Sequence, residues 1–120
     1  MKLRTVAVRD LSVAADIGVH AHEVGRRQVL NLNVTLRVRQ TLSDRLEETF
    51  DYSQVVAAAQ ALARERICLI ETFAYRLAAT CLANPLVEEV DVFVEKPGAL
   101  INGLAGSRIV LDRQAAPAVA

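Results

Sequence analysis

The chain has 120 residues, of which 52% are hydrophobic, and its 14 basic side chains balance 14 acidic ones to a formal net charge of zero. That is enough apolar material to bury a core in one compact domain, and the absence of a basic excess argues against a nucleic-acid partner, since nothing is in surplus to neutralise phosphates. With two Tyr, three Phe and no Trp, a base-stacking platform is poorly provided for.

Cys68 and Cys81 have neither zinc spacing nor a disulfide framework and are expected to be free, buried thiols in a reducing cytosol. Arg4, Arg9 and Asp10 interrupt the N-terminus before any long apolar run, so no signal peptide is read. No uncharged run approaches the roughly 18–20 residues of a membrane span. The expectation is a cytoplasmic protein.

Leu3 to about Leu11 reads as a strand, with Val6 and Val8 on one face, and Ser12–Val19 continues it after a bulge or bend. Gly18 marks a place where the backbone turns or is closely approached. His20–Arg27 is polar, contains Gly25 and reads as a loop. Gln28–Arg39 is the clearest strand: Leu30, Leu32, Val34, Leu36 and Val38 alternate with Asn31, Asn33, Thr35, Arg37 and Arg39. One face is core and the other is wet, which fits an antiparallel hairpin with the first strand.

Thr41–Asp51 is a charged connection with room for one helical turn. A helix starts near Ser53, a candidate N-cap, and carries Val55, Val56, Ala59, Leu62 and Ala63 at helical spacing to about Arg66. In a second helix Ile70, Phe73, Ala74, Leu77, Ala78, Cys81 and Leu82 form one apolar stripe, ended by Asn84-Pro85. Val87–Lys96 and Arg108–Arg113 are the last strands, joined by an uncharged loop, Pro97–Ser107, with three glycines. Residues 1–113 form a single domain in this reading, and Gln114–Ala120 a disordered tail.

The order β-β-α-α-β-β predicts an α+β fold, one antiparallel four-stranded sheet with two helices on one face. Its two open edges invite pairing with another subunit, so a ring of sheets is physically accessible.

Few residues carry chemistry. In Val90–Gly98, Val90, Val92 and Val94 share one face, and by the same parity Lys96 lands on it, just before Pro97-Gly98. Desolvation disfavours a charged lysine there. Lys96 therefore either snorkels past the sheet end into water or is held at a pocket mouth for proton transfer. Glu71 lies in the first turn of the second helix, where a carboxylate is favoured. It is an ordinary first-turn residue or an acceptor for paired N–H donors of a ligand. Tyr52 is a packing residue or a phenol that hands on a proton. Glu23 shares the first hairpin loop with His20 and His22, but no further ligands follow at useful spacing for a metal. No Ser-His-Asp order stands out, and Gly103–Gly106 is too short for a phosphate loop.

Four blocks taken together are more specific: Ile17-Gly18-Val19-His20-Ala21-His22-Glu23 with Gln28, Thr49-Phe50-Asp51-Tyr52, Leu69-Ile70-Glu71 with Phe73-Ala74, and Glu95-Lys96-Pro97-Gly98-Ala99. In this order, on this frame, the chain resembles dihydroneopterin aldolase from about Leu3 to Arg113. The resemblance implies the tunnelling fold, with sheets joined into a ring barrel, tetrameric rings that often stack as octamers, and pterin sites between adjacent subunits. It implies retro-aldol cleavage of 7,8-dihydroneopterin in reduced-pterin (folate) biosynthesis, with side-chain epimerisation to dihydromonapterin as a companion activity, and neither cofactor, metal nor Schiff base. Carried over by position, Glu71 anchors the pterin with help from the backbone at Ile70. Lys96 is the principal acid/base, Tyr52 of a neighbouring subunit relays a proton or holds the side-chain hydroxyl, and Glu23 lies beside Lys96 and the hydroxylated side chain, tuning the lysine and assisting proton transfer. Tyr75 departs from the acidic residue common among relatives. Two rivals share the fold: an epimerase acting on dihydroneopterin triphosphate, which the retained Lys96-Pro97-Gly98 disfavours, and a pterin-binding ring without turnover, for which Glu71 alone would largely suffice.

Overall fold

The computed structural model describes residues 2–39 and 42–113; the expected disordered tail, 114–120, and the first residue of the charged connection lie outside them. Four strands, β1 (Leu3–Asp16), β2 (Arg27–Arg39), β3 (Val87–Lys96) and β4 (Ala105–Asp112), form one antiparallel sheet in the order β1-β2-β3-β4. Two helices, α1 (Ser53–Ala63) and α2 (Ile70–Leu82), are inserted between the hairpins. α1 packs on β1, and α2 packs on β3 and β4. This is the α+β arrangement expected from the sequence, and the tunnelling fold.

Strand alternation dictates the core. Leu30, Leu32, Val34 and Leu36 of β2 are fully buried, and so are Val90, Val92 and Val94 of β3. The register places Leu32 beside Val94, Val34 beside Val92 and Leu36 beside Val90. Phe73, Ala74, Leu77 and Ala78 of α2, also fully buried, complete the contact. Phe73→Ala is expected to cost about 3–5 kcal/mol, seen as a lower urea midpoint at unchanged slope.

Two bulges keep apolar residues on the core face across an odd spacing. Arg9 and Asp10 together oppose Asn33, Asp10 takes a φ of 57°, and its N–H donates to Asn33 Oδ1 at 3.0 Å. That keeps both Val8 and Leu11 inward. In β3 the register slips at Glu88, so that Val87 and Val90 are both buried.

Four expectations need correction. Ser53 is the first residue of α1 rather than its cap; the Asp51 carboxylate accepts the Ser53 N–H at 2.9 Å. α1 stops at Ala63 instead of running to about Arg66, because Ile67 leaves the helix to bridge in parallel with Ile17. β4 begins at Ala105, three residues before the expected Arg108. Gly106 hid this start, since glycine is disfavoured in strands. A Cβ there would sit 2.7 Å from Phe93 Cε1, so the aromatic ring covers the glycine on the neighbouring strand. Finally, Cys81 is buried as expected but Cys68 is exposed, for the extended segment before α2 turns it outward.

Candidate active site

The site is assembled from the end of β3 and two connections. Lys96, opposite Ala105 in the register, keeps the core parity of β3. Its side chain is 14% exposed and does not run out to water; Nζ lies 2.5 Å from Oε2 of Glu23. Glu23, 7% exposed, is the one buried charged residue among those described.

The local sequence fixes that carboxylate from four directions. Ala21–Glu23 forms a short 3-10 turn, and Glu23 Oε1 folds back to accept the His20 N–H at 3.2 Å, as a capping glutamate does. Oε2 accepts Gln28 Nε2 at 2.8 Å, and the same nitrogen lies 2.8 Å from the Ile17 carbonyl oxygen. Lys96 comes from across the sheet. Beneath lies Gly18, with φ +130°; a Cβ there would sit 2.2–2.4 Å from the Glu23 carboxyl atoms. Gly18 is therefore a close approach, as its place in the sequence suggested.

These partners hold the Glu23 carboxyl well below the usual carboxylate range, from 4.5 down to about 2, the Lys96 hydrogen bond contributing most, then Gln28 and the His20 N–H, against the opposing effect of burial. A folded-state value below the unfolded one adds stability that is complete above the unfolded pKa and lost as pH falls toward the folded one. Glu23→Gln is therefore expected to flatten the fall in stability between about pH 5 and 2, measured by urea titrations across that range.

The segment before α2 forms the facing wall. Ile67 pairs with Ile17, and the Gly18 N–H donates to the Cys68 carbonyl at 3.1 Å. A depression of about 200 Å³ results, chiefly apolar, whose walls include Gly18, Glu23, Leu69, Ile70, Glu71 and Lys96. Glu71 stands exposed in the first turn of α2, and Ile70 is half-buried. A second, polar depression of about 430 Å³ adjoins it, sharing Glu23 and Lys96 and adding His22, Arg26 and Gln28. The ion pair thus stands where the apolar depression meets the polar one.

Of the residues singled out in the sequence, Glu23, Lys96, Ile70 and Glu71 gather around one depression. Tyr52, 62% exposed ahead of α1, lines neither. Tyr75 is half-buried against the core. His20 and His22 stack with ring centroids 5.6 Å apart, and among the described residues no three His, Cys, Asp or Glu side chains converge as metal ligands. Sequence reasoning gave no role to Gln28, although a polar residue at the core parity of β2 was a usable signal. It gave none to Asp16 and Arg66 either, which pair at 3.3 Å and are brought together only by the Ile17–Ile67 bridge.

The chain is similar to known proteins over most of its length. The family model for dihydroneopterin aldolase matches residues 6–111. A dihydroneopterin aldolase of Streptomyces coelicolor is 35% identical over 100 residues, which cover 80% of this chain and 84% of the relative. A Burkholderia dihydroneopterin aldolase solved with guanine superposes with a TM-score of 0.79 at 29% identity, over 92% of each chain. The E. coli dihydroneopterin aldolase in complex with neopterin shares the fold, with a TM-score of 0.83 at 24% identity over 90% of this chain and 98% of that one. The chain belongs to the dihydroneopterin aldolase family.

Proposed function

We propose that the protein cleaves 7,8-dihydroneopterin by a retro-aldol reaction, releasing 6-hydroxymethyl-7,8-dihydropterin and glycolaldehyde. The observation that carries this reading is the Lys96–Glu23 pair, 2.5 Å apart at the rim of a slot that also holds Glu71. The pterin ring occupies the slot, its amino group and ring N–H donating to the Glu71 carboxylate, with the backbone at Ile70 assisting. The hydroxylated side chain then lies over Lys96 and Glu23. Guanine in the Burkholderia relative and neopterin in the E. coli one carry the kind of amino-pyrimidinone edge that Glu71 would grip.

Cleavage removes the proton of the second side-chain hydroxyl. Its oxygen electrons form the aldehyde of glycolaldehyde, and the pair from the broken C–C bond passes into C6 and N5, giving an enamine. Protonation of the enamine carbon then yields the hydroxymethyl group. The ring's N5=C6 imine accepts the electrons, so the reaction as drawn calls for neither a metal nor a Schiff base. Lys96 is the acid/base near N5, acting through a water. A carboxyl held at about pKa 2 is a weak base, which suits Glu23 to orienting Lys96.

Tyr52 would enter from a neighbouring subunit to protonate the enamine carbon or hold the hydroxyl. Its place away from the slot accords with that role, as do β1 and β4, the two edge strands, through which sheets can join into a tetrameric ring and rings stack as octamers. Returning the aldehyde with its other face presented would give epimerisation to dihydromonapterin. Incubation of the purified protein with 7,8-dihydroneopterin tests the proposal: glycolaldehyde and the hydroxymethyl pterin are the expected products, and epimerisation of the triphosphate without cleavage would refute it.

A further inference from the structure

We infer that Arg66 and Asp16 form a positioning clamp that holds the Glu23 loop at both ends, and that turnover depends on it. The inference rests on the aldolase reading for its kinetic consequence and on geometry for its existence. Arg66 presents two nitrogens to three acceptors, one of them the carbonyl of the adjoining Ile67, 3.5 Å from Nη1. Nη1 lies 3.3 Å from Asp16 Oδ1, and Nη2 donates to the Gly18 carbonyl. Gly18 is the floor against which the Glu23 carboxylate rests, so the guanidinium holds the backbone of that floor through its carbonyl. The same Asp16 oxygen accepts the Gly25 N–H at 3.1 Å, two residues beyond Glu23. One ion pair thereby pins residues 18 and 25, and Glu23 lies between them.

Backbone contacts tie the clamp to the ring-binding wall. The Ile67 N–H donates to the Asp16 carbonyl at 3.3 Å and the Gly18 N–H to the Cys68 carbonyl at 3.1 Å. Arg66 thus stands between the strand that delivers Glu23 and the segment that delivers Ile70 and Glu71. Its side chain is 30% exposed and that of Asp16 27%, so the pair contributes little to global stability. Its consequence is geometric. Ring affinity belongs to Ile70 and Glu71, which packing of α2 against the sheet holds in place. Release of the clamp should therefore move the acid/base pair and spare the ring site.

The test uses the full chain with Arg66→Ala and Arg66→Lys. In Arg66→Ala, kcat for 7,8-dihydroneopterin is expected to fall about tenfold or more, while the Kd for pterin, a probe that lacks the side chain, stays within about threefold. Arg66→Lys keeps the charge but reaches one acceptor at a time and should recover part of the loss, which also covers the case in which the alanine variant folds poorly. Amide hydrogen exchange supplies a readout independent of activity: protection across residues 18–25 should drop in Arg66→Ala. Unchanged protection there overturns the clamp, as does a kcat within about twofold of the parent, or a loss shared equally by kcat and pterin affinity. A parent protein that fails to cleave the substrate refutes the aldolase reading alone, and the exchange experiment still decides the clamp.

Discussion

Lys96→Ala is expected to lose roughly a hundred- to ten-thousandfold in kcat, the usual worth of a positioned acid/base, while pterin affinity changes by no more than a few-fold. The separation follows from the layout of the site. Lys96 is held on Glu23, whereas the proposed ring recognition falls to Glu71, a separate residue lining the same depression. Glu71→Ala should do the reverse. It removes hydrogen bonds to a charged acceptor, worth about 1.5–3 kcal/mol each, so that fluorescence titration would register binding weakened by at least tenfold. Single-turnover rates at saturating substrate, set beside these titrations, distinguish the two. Full activity in Lys96→Ala would sink the mechanism. The variant should also remain folded, because Glu23 keeps its hydrogen bonds from Gln28 and the His20 N–H.

The architecture was readable wherever one face of an element is apolar and the other is not. The alternation of β2 and the stripe of α2 each admit one orientation against the core, and both elements lie where the pattern puts them. β4 was legible only in part, because Gly106, near its start, allows the close approach of Phe93 at the cost of strand propensity. Lys96 shows where periodicity stops being informative. Parity located the side chain correctly on the core face but could not separate a snorkelling lysine from a paired one, for the partner lies 73 residues away in a loop with no period. Asp16 and Arg66 were invisible for a related reason. Each reads as an ordinary surface charge, and only the short parallel bridge between Ile17 and Ile67 makes them neighbours. Tyr52 is the opposite case, prominent in the sequence but lining neither depression within one chain, and the role proposed for it requires a second copy.

Gly18→Ala should be the most damaging single methyl group that can be added at the site. Two costs coincide there. A φ of +130° is a conformation that residues with a side chain rarely adopt, and holding it costs on the order of 1–3 kcal/mol. The new Cβ would also fall 2.2–2.4 Å from the Glu23 carboxyl atoms, so the carboxylate must move, and with it the group that orients Lys96. The expected result is a lower urea midpoint together with a kcat reduced about a hundredfold or more. A double-mutant cycle separates the costs. In a Glu23→Ala background there is no carboxylate to displace, so Gly18→Ala should retain only the backbone term and lower the midpoint by less than in the parent, and the two substitutions should be clearly non-additive in kcat. Additivity in both measurements would mean that Gly18 serves only the turn. Coupling would mean that the glycine is there because the carboxylate needs its space, which makes the absence of a side chain at position 18 part of the catalytic apparatus.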